Sequence, residues 1–143
     1  MPIREASAIW NGDLKRGKGT MTLGSGAYEG AYSFASRFEK GTGTNPEELI
    51  GAAHAGCFSM SLANSLAKAG YSPEQISTRA RVSLELIEGS FKISEIVLET
   101  KAKVQNIEKN IFLKRADDAK ANCPVSKALT GTHIKLLASL DKQ

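Results

Sequence analysis

The pattern of apolar and polar residues along the chain predicts alternating strands and helices. Apolar residues at every second position, typical of half-buried strands, indicate strands over residues 3–10, 14–23, 32–38, 76–86, 91–102 and 134–140. Helical spacing indicates helices within residues 44–70, 107–121 and 125–129. The order of three strands, a long helix, two strands, two helices and a last strand predicts an α+β fold.

Three details of this pattern place particular residues. In the third strand the aromatic residues alternate with other positions, which puts Arg37 on the face opposite the aromatic rings. In the fifth strand the apolar positions change phase, which predicts a β-bulge near Ser94 and Glu95. In the long helix the apolar side chains of Phe58 and Met60 are expected chiefly in the core.

The long helix has a strong start signal. Thr44 or Asn45 can cap it, Pro46 suits its first turn, and Glu47 and Glu48 lie near the positive end of the helix dipole. A glycine follows its last turn, as is common at helix ends. The helix carries small residues almost all the way round and a cysteine in its middle. A buried thiol at such a position requires an explanation.

Composition narrows the class of protein. The chain has 143 residues, 41% hydrophobic and 24% charged, which predicts one globular domain over residues 1–143. The net charge is +4, and the lysines and arginines are scattered along the chain. Their one dense cluster has no aromatic residues between the basic ones, which argues against nucleic-acid binding. The first ten residues lack a secretory pattern, so the cytoplasm is the expected location. There, two distant cysteines are expected as free thiols or as a redox pair.

The two cysteines occupy different environments. Cys57 lies roughly 20 Å from the helix start, too far for the helix dipole to activate its thiol. Its small neighbours leave room for a small molecule. Cys123 precedes Pro124 at a predicted helix start, where the N–H groups of Val125 and Ser126 can stabilise a thiolate. Cys123 is therefore placed as a reactive or resolving thiol.

Other uses of these residues are open at this point. His54 and Cys57 share one helix face and could form half of a zinc site, completed by Cys123, His133 or a carboxylate. The simpler interpretation is that His54 is a packed interface residue and that His133 is solvated on the polar face of the last strand. Two alternatives to a redox enzyme therefore stay open. One is a dimer that binds a metal or a small molecule through His54, Cys57 and Cys123. The other is a structural dimer whose cysteines are inert core residues.

Two segments resemble a known family. The segments "FASRFEKGTGTNPEELIGAAHAGCFSMSL" and "KANCPVSKAL" resemble the OsmC branch of the OsmC/Ohr family of bacterial thiol peroxidases, and the likeness covers nearly the whole chain. The specific motifs are the NPEEL helix start, the AHAGCF block and the CPVS block. Gly56 departs from the alanine that is more usual in the family at that place.

The resemblance implies a role for each of four residues. Cys57 resembles the peroxidatic thiol, Cys123 the resolving thiol, Arg37 the residue that activates the thiolate, and Glu47 the carboxylate that holds the arginine. On a straight helix Glu47 and Cys57 would be about 15 Å apart. An arginine that contacts both would need a bent helix, a first turn that peels away, or a second subunit.

The resemblance also implies a fold and an activity. It implies an OsmC-like fold with antiparallel sheets around a long central helix, in an intertwined homodimer. The implied reaction reduces organic hydroperoxides in preference to hydrogen peroxide through a sulfenic acid on Cys57 and a disulfide with Cys123, without metal or organic cofactor. The implied reductant is dihydrolipoamide or a lipoylated protein, and the implied role is defence against oxidative and osmotic stress.

Overall fold

The computed structural model describes residues 1–141, which form six strands and four helices. The strands are β1 (Ala6–Asn11), β2 (Lys18–Leu23), β3 (Glu29–Tyr32), β4 (Pro73–Ile87), β5 (Ser90–Val104) and β6 (His133–Leu140). The helices are α1 (Phe34–Phe38), α2 (Pro46–Lys68), α3 (Lys109–Asn122) and α4 (Pro124–Ala128). This content confirms the α+β class. The chain divides into two compact units, one ending at Leu49 and the other beginning at Ile50.

The first unit contains an antiparallel sheet in the order β1-β2-β3. Gly19 on β2 pairs with Trp10 on one side and Tyr32 on the other. The two aromatic rings lie over this glycine with their centroids 5.2 Å apart. A side chain at position 19 would collide with both rings, so a glycine is required there for the aromatic pair to form.

Residues 34–38 form helix α1, so the predicted strand over residues 32–38 is wrong beyond Tyr32. Ser33 caps the helix because its hydroxyl accepts from the N–H of Ser36 at 3.1 Å, and the Ser36 hydroxyl accepts from the N–H of Ser33 at 2.9 Å. This reciprocal capping stabilises helical backbone against the alternating pattern. Arg37 therefore lies in the last turn of a helix and not on a strand.

The start and end signals of α2 are confirmed. The side chain of Asn45 accepts from the N–H of Glu48 at 2.7 Å, as an N-cap does. The hydroxyl of Thr44 donates to the carboxylate of Glu48 at 2.7 Å. Gly70 has a φ of +91° and follows the last turn, where the N–H of Tyr71 returns to the carbonyl of Leu66 at 2.9 Å. These local bonds determine where the 23-residue helix begins and ends.

The second unit contains the sheet β4-β5-β6. Strands β4 and β5 form a long antiparallel hairpin whose register shifts between Ser83 and Leu84, opposite the extra residue Ser94. The predicted bulge near Ser94 and Glu95 is therefore confirmed. Strand β6 runs parallel to β5, so this sheet is mixed and not wholly antiparallel. The chain can return in parallel because α3 and α4 form the long crossover that such a connection needs.

The core of the second unit is built from α2, β5 and α3. Its fully or almost fully buried members are Phe58, Leu62, Leu66, Ile96, Leu98, Ala102, Val104, Phe112, Ala116, Ala119 and Cys123. Met60 is 76% exposed, so its predicted core position is wrong. Two helical residues differ by about 200° around the axis, which puts Met60 opposite the buried Phe58. In residues 1–141 no helix is long and apolar enough to cross a membrane.

Candidate active site

The two cysteines lie in contact with each other. Cys57 projects from the middle of α2, and Cys123 lies at the junction where α3 ends and α4 begins. The two sulfur atoms are 3.1 Å apart, and both cysteines are free thiols. Cys123 is fully buried, whereas Cys57 is partly exposed. The distance between the two sulfur atoms is about 1 Å longer than a disulfide bond, so a small movement is enough to form that bond.

The sulfur of Cys123 lies at the junction between α3 and α4. Pro124 takes the first position of α4, and the polar groups of Val125 and Ser126 in its first turn act on the ionisation of the sulfur. Burial by itself would raise the pKa of Cys123, but the hydrogen bonds from Cys57, Ser126 and Val125 outweigh it and lower that pKa below its ordinary value. This direction agrees with the predicted stabilisation of a thiolate at this helix start.

The pKa of Cys57 moves in the opposite direction. Burial, followed by the contact with Cys123, raises the pKa of Cys57, although the N–H of Val125 acts in the other direction. The two sulfur atoms are within hydrogen-bonding distance of each other at 3.1 Å. The pKa of Cys123 is lowered and that of Cys57 is raised, so Cys123 loses its proton more readily than Cys57 does.

A buried histidine contacts this pair through a hydroxyl. The Nε2 atom of His54 lies 2.7 Å from the Oγ of Ser126, and both side chains are buried. Burial lowers the pKa of His54, so its imidazole is neutral near pH 7. The sequence showed His54 three residues before Cys57, and Ser126 three residues after Cys123. It offered no signal that these two residues would meet, since they are 72 positions apart.

The metal alternative has little support in this arrangement. Among residues 1–141 no three His, Cys, Asp or Glu side chains are grouped so that they could hold a metal ion. One ring nitrogen of His54 is occupied by Ser126. His133 is exposed at the start of β6, as predicted, and its Nε2 lies 3.8 Å from the carboxylate of Glu95.

Arg37 and Glu47 form a paired fork within the first unit. The Nε of Arg37 donates to Oε1 of Glu47 at 3.1 Å, and its Nη2 donates to Oε2 at 2.9 Å. The Glu47 side chain is 9% exposed and that of Arg37 is 34% exposed. Glu47 thus reaches Arg37 within one chain. This geometry holds the guanidinium plane in a fixed orientation.

The guanidinium of Arg37 also borders an aromatic cavity of about 400 Å³ in the same unit. Its aromatic walls are Trp10, Tyr32, Phe34 and Phe38. Of the four predicted site residues, Arg37 and Glu47 pair within the first unit, and Cys57 and Cys123 pair within the second.

The folds of several solved structures are similar to that of this chain. The organic hydroperoxide resistance protein OhrB of Bacillus subtilis matches with a TM-score of 0.71 at 25% identity, over 94% of this chain and 97% of that one. An OsmC-like protein from Mycoplasma pneumoniae matches with a TM-score of 0.74 at 18% identity, over 99% of both chains. Two thiols in contact can be oxidised to a disulfide.

Sequence comparison identifies the family. The model of the OsmC-like protein family matches residues 39–137. Peroxiredoxin OsmC of Escherichia coli strain K12 is 47% identical over 127 residues, covering 88% of this chain and 89% of that protein, and the Shigella flexneri protein of the same name matches equally well. The chain belongs to the OsmC-like protein family. Glu47, Cys57 and Cys123 lie inside the matched span, and Arg37 lies just before it.

Proposed function

We propose that this protein reduces organic hydroperoxides with Cys57 and Cys123 as its redox-active pair. The chain is a thiol-dependent peroxidase, as its family and its peroxiredoxin relatives establish. The observation that carries the assignment of the pair is the 3.1 Å contact between one partly exposed and one buried thiol. The substrate class is supported by the fold and sequence likeness to an organic hydroperoxide resistance protein.

The first step oxidises Cys57. Cys57 releases its thiol proton to solvent, which leaves its thiolate as the nucleophile. The Cys57 sulfur attacks the distal oxygen of the hydroperoxide and the O–O bond breaks. The products are a sulfenic acid on Cys57 and an alkoxide, which takes up a proton from solvent and leaves as the alcohol.

The second step closes the disulfide. The sulfur of Cys123 attacks the sulfur of the sulfenic acid, and the S–O bond breaks as the S–S bond forms. The departing hydroxide combines with the thiol proton of Cys123 to give water. In sum, two thiols and one hydroperoxide give one disulfide, one alcohol and one water, and a dithiol must then restore the reduced pair.

We assign supporting roles in the first step to Arg37 and Glu47. The guanidinium of Arg37 favours the thiolate form of the attacking sulfur and stabilises the charge on the departing alkoxide. The carboxylate of Glu47 orients it, which the bidentate geometry supports. The Glu47 carboxylate occupies only one edge of the fork, so further N–H groups of Arg37 can serve a substrate oxygen.

The reductant, assembly and location follow as parts of the same proposal. We assign the return of the dithiol to dihydrolipoamide or a lipoylated protein. The protein acts as a homodimer, which the exposed, mostly small face of α2 supports; its members are Ala52, Ala53, Gly56 and Met60. Residues 1–143 act as one peroxidase domain in the cytoplasm, where two unlinked cysteines are expected. The biological role is defence against oxidative and osmotic stress.

A free-thiol count with intact mass, before and after one equivalent of cumene hydroperoxide, tests the proposal. The reduced protein is expected to lose both thiols and the mass of two hydrogens. Cys57→Ser should consume no hydroperoxide, whereas Cys123→Ser should react once and stall as a sulfenic acid that further peroxide overoxidises. Persistence of both thiols would refute the peroxidase pair. Full turnover of Cys123→Ser with a lipoyl reductant would refute only the resolving role.

A further inference from the structure

We infer that Ser61 is a positioning residue for the thiol pair and that it acts together with His54. Both lie on α2, and they fasten the junction between α3 and α4 (residues 119–126) to that helix from its two sides. The hydroxyl of Ser61 donates to the carbonyl of Ala119 at 3.1 Å. The Nε2 of His54 lies 2.7 Å from the Oγ of Ser126. The inference rests on the proposed disulfide between the two cysteines.

Helix α2 and the junction meet in a regular antiparallel register. The three contacting residues of α2 share one helix face because they are three and four positions apart: His54, Cys57 and Ser61. Their partners in the junction follow in the reverse order along the chain: Ser126, Cys123 and Ala119. The 3.1 Å contact between the sulfur atoms is therefore the middle one of three, with a hydrogen-bonded contact about one helical turn away on either side.

Cys123 lies at the break between the two helices of the junction. It ends α3 and begins α4, with a φ of −63° and a ψ of 120°, because Pro124 disfavours helical backbone at the residue before it. The N–H of Cys123 donates to the carbonyl of Ala119 at 2.9 Å, and its carbonyl accepts from the N–H of Lys127 at 3.0 Å. The backbone on both sides of the break is thus helical. Holding each side against α2 holds the direction in which the thiol projects.

The hydroxyl of Ser61 is used differently from that of its neighbour Ser59. A serine inside a helix often donates to the carbonyl four residues earlier, as Ser59 does to Ala55 at 2.8 Å. Ser61 instead donates across to α3, to a carbonyl that also accepts the N–H of Cys123. A carbonyl oxygen has two lone pairs, so it can accept from both donors. The hydroxyl of Ser61 therefore joins α2 to the turn of backbone that ends at the second thiol.

Charged side chains lie at the other end of the junction. Asp117 and Lys120 of α3 and Lys127 of α4 line a cleft together with Ser126. These charges can act on the ionisation of the thiols from that end. The hydroxyl of Ser61 and the carbonyl that it contacts are both uncharged, so removing this hydroxyl changes how the junction is held without changing the charge around it. Ser61 is therefore the residue at which positioning can be tested separately from ionisation.

Holding the junction at both ends raises the effective concentration of Cys123 at Cys57. A junction that moved freely would bring its sulfur to Cys57 for only part of the time, and disulfide closure would then have to order it. The hydrogen bonds order the junction already in the reduced protein, so this cost is smaller at closure. The sulfenic acid on Cys57 is then resolved sooner, which leaves less time for excess hydroperoxide to overoxidise it.

Equilibration with glutathione tests the inference in the absence of hydroperoxide. The reduced protein and one oxidised glutathione give the disulfide form of the protein and two reduced glutathiones, and intact mass after alkylation gives the fraction of each form. Ser61→Ala should lower the equilibrium constant about fivefold, because one hydrogen bond that orders the junction is lost. His54→Leu removes the contact at the other end and should lower the constant in the same direction.

Ser59→Ala is the matched control for this measurement. It removes a partly buried hydroxyl from the same helix, but the partners of that hydroxyl are Ala55 and Thr78 and not the junction. Its equilibrium constant should stay within about twofold of that of the unaltered protein. An unchanged constant in Ser61→Ala would overturn the inference. An equal fall in both serine variants would also overturn it, since a general loss of stability would then explain both.

The glutathione equilibrium also separates this inference from the proposed function. If the protein does not react with hydroperoxide but Ser61→Ala lowers the constant, the positioning role is supported and the proposed function alone is refuted. If the protein consumes hydroperoxide but Ser61→Ala leaves the constant unchanged, the positioning role alone is refuted.

Discussion

Replacing Glu47 by glutamine tests whether the fork between Arg37 and Glu47 contributes to both stability and activity. Glu47→Gln keeps the shape of the side chain but turns one of its two acceptors into a donor that faces the N–H groups of Arg37. The two hydrogen bonds at 3.1 and 2.9 Å cannot both persist. The Arg37 side chain, which is 34% exposed, then loses a charged partner whose side chain is only 9% exposed.

The expected loss of stability in Glu47→Gln lies between two limiting cases. Exposed ion pairs contribute about 0–1 kcal/mol, whereas breaking a buried pair costs about 3–5 kcal/mol. Arg37 retains about a third of its exposure, so solvent can partly replace the lost carboxylate. We therefore expect Glu47→Gln to lower the free energy of unfolding by about 1–2 kcal/mol.

Glu48→Gln is the matched control for this prediction. Glu47 and Glu48 both lie in the first turn of α2, so both substitutions lose a similar interaction with the helix dipole, about 0.3–1 kcal/mol. Glu48 also accepts one hydrogen bond, from the Thr44 hydroxyl at 2.7 Å. The difference between the two variants therefore isolates the contribution of the pair with Arg37.

The assay is urea unfolding at one fixed protein concentration, because the stability of the proposed homodimer would depend on concentration. Glu47→Gln is expected to be less stable than Glu48→Gln and to oxidise Cys57 more slowly, whereas Glu48→Gln should keep the unaltered oxidation rate. A double-mutant cycle with Arg37→Lys should give a coupling of about 1 kcal/mol or more. Equal stability of the two glutamine variants, together with no coupling in the cycle, would refute the reasoning.

Three further predictions concern pH, assembly and backbone. Burial lowers the pKa of His54 from 6.5, so at low pH the unfolded chain binds a proton at this histidine more readily than the folded protein does. The free energy of unfolding should therefore fall as pH drops through about 6.5. If urea titrations show the same dependence of stability on pH in His54→Gln, this prediction is contradicted. Met60→Lys on the exposed face of α2 should convert the proposed homodimer to monomer in light scattering, and an unchanged mass would count against that interface. Gly70→Ala should lose about 1 kcal/mol in urea unfolding because its φ is +91°, whereas Gly131→Ala, also in open space, should be nearly neutral.

Elements with local causes could be predicted from the sequence. The boundaries of α2 follow from Asn45 and Gly70, which act through hydrogen bonds and backbone angles within a few residues. The bulge at Ser94 follows from a phase change in the apolar pattern of one strand. Two predictions that were wrong, the strand at residues 34–38 and the core position of Met60, also concern local features. The capping pair that starts α1 was present in the sequence but was outweighed by the alternation of aromatic residues, and the exposure of Met60 follows from helical spacing.

The sequence by itself determined the α+β class and the identity of both cysteines as candidate site residues, because motifs and periodic patterns depend on neighbours along the chain. Only the tertiary structure decided that β6 runs parallel to β5, that the sulfur atoms of Cys57 and Cys123 lie 3.1 Å apart, and that His54 meets Ser126. The residues of these contacts are far apart along the chain, by 66 positions for the sulfur atoms. Their meeting depends on how the core packs, and their ionisation depends on burial and on donors that this packing supplies.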